Sequence, residues 1–176
     1  MLFRSGTELV IYPGGRSSSY AIPEGVRKIL PWAFGYSFVT NVTFPGTLLS
    51  IADDAFYQSL IRAADIPDSV QMIGNWAFAY ASLQTVVIGN GVTNIGNAGF
   101  ALCGSLTNVV VGAGVNRLGE IAFGYCYYLR AAYFKGNAPS SSGYAFDNTP
   151  ATIYYLPGAV GWGTYYDGRP TAQWSP

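Results

Sequence analysis

Asp53 and Asp54 are adjacent, and Asp65 and Asp68 flank Ile66-Pro67. Paired carboxylates are what a glycoside hydrolase uses as acid and as base or nucleophile, so these four are the candidates for catalysis. Both pairs fall by turn-forming residues, where short carboxylates ordinarily face water, and solvated turn carboxylates are the preferred reading. The sequence has no histidine, so neither a Ser-His-Asp nor a Cys-His arrangement can be assembled. Two cysteines alone do not make a zinc site. The glycine cluster "YPGGR" (12–16) lacks the Lys-Ser/Thr ending and following helix of a phosphate loop. No catalytic residue, metal ligand or cofactor is assigned.

Composition narrows the setting. The 176 residues suit one domain with a continuous core. Half are hydrophobic, a tenth are charged, and nine basic side chains balance nine acidic ones. That balance argues against nucleic acid, which asks for a basic footprint, and against a polybasic membrane patch. No apolar run has the length of a membrane helix, so no membrane insertion is expected. The 14 Tyr and 22 Gly favour strands and turns. Residues 1–5, "MLFRS", are expected to be a non-native scar, because common sequencing-adaptor DNA read from a GTG start encodes them. The chain is expected to be part of a longer protein.

What must position any site is a repeat. Phe34, Phe56, Phe78, Phe100, Phe123 and Phe146 follow one another at steps of 22, 22, 22, 23 and 23 residues. Five residues before the first five stand Ile29, Ile51, Ile73, Ile95 and Leu118; eight before stand Val26, Leu48, Val70, Val92 and Val115. Several apolar columns at one period mark a stacked architecture. Segments such as "LQTVVI" (83–88) and "LTNVVV" (106–111) alternate in–out–in, as a strand does. A second short strand follows, as in "GVTNI" (91–95), and the Ala-Phe stretch makes a third side, read as a helical turn. One unit cannot bury its own apolar face, so units must share a core.

"IPDSVQMIGNWAFAYASL" (66–83) and "IGNGVTNIGNAGFALCGSL" (88–106) closely resemble the BspA-like leucine-rich repeat of bacterial and protist surface proteins. The likeness runs from about Tyr20 to Leu129 and weakens in "GNAPSSSGYAF" (136–146). It implies a β-rich solenoid, a right-handed leucine-rich-repeat coil with one parallel sheet, short second strands and helical turns. It also implies an extracellular or cell-surface location and a role in adhesion or protein binding.

Solenoid ends need closing. Residues 6–19 read as a hairpin cap turning at Pro13-Gly14-Gly15, residues 20–156 as the solenoid, and 157–176 as an irregular aromatic cap. Leu156 lies 22 residues after Phe134, which would turn Tyr154 and Leu156 inward and Tyr155 outward. Cys103 and Cys126 share a column with Ser37, Ser59 and Ala81. Stacked side chains point the same way, so a pair of buried thiols is expected rather than a disulfide.

Recognition should then use the outward columns. One strip runs Ala21, Thr43, Asp65, Val87, Val110, Tyr133, Tyr155, polar at first and aromatic later. Arg62, Gln84, Thr107 and Arg130 flank it. A second candidate strip is Tyr36, Tyr80 and Tyr125, two residues after each Ala-Phe, whose rings could stack on sugars or cover the coil edge. The expected function is non-catalytic binding of a protein or of a host or extracellular-matrix surface. The alternatives are glycan binding, a polysaccharide-active β-solenoid, and a passive spacer.

Overall fold

A computed structural model describes residues 3–12 and 18–175. Each coil has three sides. The first is a nine-stranded sheet with Ser19–Ala21, Asn41–Thr43, Ala63–Ile66, Thr85–Ile88, Asn108–Val111, Ala131–Phe134, Thr152–Tyr155, Arg169–Gln173 and Tyr165–Tyr166 in that order across it. The second is a seven-stranded sheet of two-residue strands: Phe3–Arg4, Glu8–Leu9, Lys28–Ile29, Ser50–Ile51, Met72–Ile73, Asn94–Ile95 and Arg117–Leu118. Strands of successive coils pair in parallel and in register, so Val87 lies between Asp65 and Val110. Alternation decides which residues turn in: in Thr85–Ile88, Val86 and Ile88 are buried while Thr85 and Val87 are exposed.

The third side is not helical, contrary to the reading from sequence. Ala33, Gly35 and Ser37 each donate their N–H three residues back, to Leu30, Trp32 and Phe34. The N–H groups between them leave the coil: Phe34 donates to Ala55 O at 2.7 Å and Tyr36 to Tyr57 O at 2.8 Å. A helix needs every N–H turned toward its own carbonyls. Here stacking captures alternate ones, and tight turns result. These turns place Trp32 (φ 63°) and Tyr36 (φ 56°) in the left-handed region, and the next coils do the same with Asp54, Gln58, Trp76 and Tyr80.

Inside, the six phenylalanines form one file. Neighbouring ring centroids are 4.5, 4.7, 5.0, 5.3 and 5.2 Å apart, with planes within 12° of parallel. The strand spacing of about 4.8 Å imposes that repeat on the rings. Tyr12, 22 residues before Phe34, extends the file at 5.3 Å and 25°. Residues 7–12 therefore act as a shortened first coil.

The N-terminal hairpin differs from expectation. Glu8–Leu9 pairs antiparallel with Phe3–Arg4 and parallel with Lys28–Ile29, whereas Ser19–Ala21 starts the other sheet. The hydrogen-bonding edge of Glu8–Leu9 is thus taken by the next coil. Of the segment read as a scar, Phe3 and Arg4 form that antiparallel strand, while Met1 and Leu2 lie outside the described residues. So do residues 13–17, where the turn was placed.

At the C-terminus Thr152–Tyr155 enters one residue early. Ala132 faces Ile153, Tyr133 faces Tyr154 and Phe134 faces Tyr155. The fully buried Ile153 fills the core column that the 22-residue spacing assigned to Tyr154. An aliphatic side chain takes the dry site, and the phenol stays at the surface. The following segment is more regular than the irregular cap expected: Tyr165–Tyr166 and Arg169–Gln173 form an antiparallel hairpin about Asp167-Gly168, with φ of 49° and 71°. Asp-Gly is the sequence signal for such a turn.

Candidate functional site

The four carboxylates do not converge. The Asp53 carboxylate accepts the Asn75 N–H at 2.7 Å, and the same link repeats from Asn97 N–H to Asn75 Oδ1 and from Glu120 N–H to Asn97 Oδ1, at 2.8 and 2.9 Å. Asp68 heads a parallel ladder, accepting the Asn90 N–H at 2.6 Å, while Asn90 Oδ1 accepts from Ala113 N–H at 3.1 Å. These side chains satisfy turn backbone that the coil cannot satisfy itself. Gly96 shows how tightly the ladder is built, since a Cβ there would lie 2.6 Å from the Asn75 nitrogen. Asp65 stands exposed on its strand beside Val87. Asp54 is half-buried, and burial, then the charge of Asp53, raises its carboxyl above the usual range.

Both cysteines are buried, free thiols. Cys103 Sγ donates to Phe78 O and Cys126 Sγ to Phe100 O, each at 3.2 Å. Burial, followed by the neighbouring Cys126, pushes the Cys103 thiol well up.

The outward strip is present with one substitution. Val87 is 40 % exposed, and Val110 and Tyr133 are half-buried beside it. The next member is Tyr154, whose ring stacks on Tyr133 at 5.0 Å and 18°. Tyr155 instead stacks on Trp162 at 5.4 Å and 8°, under the cap. Trp174 closes the strip edge-on to Tyr133 at 5.0 Å, a contact no spacing argument indicated. Arg62, Gln84, Thr107 and Arg130 form a flanking column whose backbones join successive coils by bonds of 2.7–3.0 Å. Neither arginine has an ion-pair partner among the described residues.

The tyrosine strip is broken. Tyr36 and Tyr80 are exposed and Tyr125 half-buried, with Leu102 between the last two. Tyr57 links the first two, 5.8 Å from Tyr36 and 5.5 Å from Tyr80. Trp32 lies 6.0 Å from Tyr36 with ring planes only 7° apart. Trp32 and Trp76 were missed from sequence, though the column two residues before each of the six Phe carries the signal: Trp32, Asp54, Trp76, Ala98, Ile121, Tyr144.

Turns, twin parallel sheets and an apolar file define a leucine-rich-repeat β-solenoid. The pattern of the BspA type leucine rich repeat region matches in six copies over residues 14–130 and 49–161. The chain belongs to that family. No curated protein matches it. Among solved structures, a leucine-rich repeat protein from Eubacterium ventriosum shares the fold, with a TM-score of 0.72 and 21 % identity over 84 % of this chain and 47 % of that one. A leucine rich cell surface protein from Faecalibacterium prausnitzii is 18 % identical, with a TM-score of 0.40, over 80 % of this chain and 54 % of that one. A leucine-rich repeat protein from Bacteroides ovatus is 16 % identical, with a TM-score of 0.43, over 78 % and 55 %. The chain therefore spans about half the length of these relatives.

Proposed function

We propose that this solenoid is a non-catalytic recognition module that binds a protein through the outer face of its nine-stranded sheet. The supporting observation is the continuous row Val87, Val110, Tyr133, Tyr154, in which aliphatic and aromatic side chains stay at the surface although the repeat needs them for no core contact. Aromatic centres with a polar rim are what protein interfaces concentrate. Arg62 and Arg130 on one flank favour a partner with acidic groups at its edge. The BspA-type repeats, which resemble those of bacterial and protist surface proteins, favour a place outside the cell.

The test is binding to a panel of immobilised extracellular-matrix proteins. Replacing Tyr133 and Tyr154 together with Ser should weaken binding at least about tenfold, since two interface tyrosines commonly carry that much. Tyr36→Ala with Tyr80→Ala, on the turn side, should leave it unchanged. If the sheet-face variant binds as well as the parent, the reading is wrong.

A further inference from the structure

Trp32, Tyr36, Asp54, Tyr57 and Trp76 line a cleft of about 420 Å³ on the turn side of the first coils. Trp32 and Tyr36 are nearly parallel, and Tyr57 meets them at 64° and 70° with centroids 5.4 and 5.8 Å away. Trp76 and Asp54 complete the lining from neighbouring coils. Trp32 is 48 % and Trp76 37 % exposed. Asp54 has no ion-pair partner among the described residues. We propose that this cleft binds a quaternary ammonium group, held against the aromatic faces with Asp54 as its counter-ion.

Two observations point to a ligand. Trp32 and Trp76 both occupy left-handed backbone, at φ 63° and 54°. That conformation suits glycine and is rare for bulky residues. The turn imposes that φ on the whole column, Asp54, Ala98 and Ile121 included, so what sets these coils apart is the choice of tryptophan, which leaves large rings exposed where Ala98 serves the same turn. The second is chemical. Aromatic walls with one carboxylate are the composition that recognises methylated ammonium ions, whose charge is soft and carries no N–H to satisfy. A sugar would also stack on these rings and use the Asp54 carboxylate, but the lining offers no amide or guanidinium group to its remaining hydroxyls. A phosphate beside the ammonium would meet the Asp54 charge, so the favoured ligand carries no neighbouring anion. Burial, then the Asp53 charge, raises the Asp54 carboxyl, and a bound cation would lower it again.

This site is separate from the sheet face, and its failure would leave that reading intact. The test is calorimetric titration of the full chain with choline at low salt. Saturable millimolar or tighter binding is expected, with the uncharged isostere neohexanol about tenfold weaker or worse. Asp54→Asn should weaken choline by on the order of tenfold and leave neohexanol unaffected. Trp32→Gly and Trp76→Gly suit the local φ, so they should lose binding while keeping a cooperative unfolding transition. A trimethyl-lysine peptide that competes with choline supports the same site and indicates a protein-borne group. Equal binding of choline and neohexanol, retention of choline by both glycine variants, or capture of neutral oligosaccharides without choline would each overturn the proposal.

Discussion

Tyr133 and Tyr154 stack 5.0 Å apart although 21 residues separate them, one fewer than the shortest step of the phenylalanine file. The slip turns Tyr155 toward Trp162 and leaves Tyr154 on the surface. A one-residue shift reverses the face of every side chain in a strand. The two adjacent tyrosines therefore have opposite roles. Tyr154→Ala should change unfolding free energy by less than about 1 kcal/mol while reducing partner binding. Tyr155→Ala, which uncovers Trp162, should cost about 1–3 kcal/mol. Urea denaturation beside a binding assay separates them.

Phe78 sits mid-file between Phe56 and Phe100 and is fully buried. Phe78→Ala should cost about 3–5 kcal/mol by the cavity it opens. The neighbouring rings are held by their own coils and cannot close the gap. At the end of the file, Tyr12→Phe keeps the ring and should cost less than about 1 kcal/mol. Thermal and denaturant unfolding of both variants checks the contrast.

Gly96 packs against the ladder of the preceding coil, with Asn75 in the space a Cβ would fill. Gly96→Ala should destabilise by about 1–3 kcal/mol through overpacking. Its backbone φ is not the cause, because Gly96 is absent from the left-handed glycines. Circular dichroism melts should show the loss, and Gly104→Ala, with open space around it, should be near neutral.

Tyr166 is half-buried against the last coil, and its hydroxyl donates to Pro139 O at 3.0 Å. Burial first, then the Asp167 charge, raises its phenol above the ordinary value. The folded state therefore holds the proton where the unfolded chain has released it. Stability should be unaffected by this group below about pH 10 and should fall as pH rises beyond it. Tyr166→Phe should remove that alkaline slope in a pH series of melts. An unchanged slope in the variant would rule out Tyr166 as its source.

Much of the solenoid was readable because its inward columns repeat. The Ile and Phe columns and the in–out alternation of strands such as Thr85–Ile88 follow from side-chain period alone. The Tyr12 ring was also within reach, one step before Phe34, had the file been extended upstream. The turn geometry was not. An Ala-Phe stretch looks the same in a helical turn and in a stacked tight turn, and only the next coil's carbonyls choose between them. Likewise the Asp53 and Asp68 carboxylates looked free until the following coil's backbone N–H groups were placed against them.

By itself the sequence determined the period, the buried file and the family of coil, because these depend on spacing repeated many times along one chain. Tertiary structure decided the register of Thr152–Tyr155, the partners of Glu8–Leu9, and the meeting of Trp32, Asp54 and Trp76 in one cleft. Each of those depends on which groups a neighbouring coil presents across a gap of about 5 Å, and that information is not local to any segment.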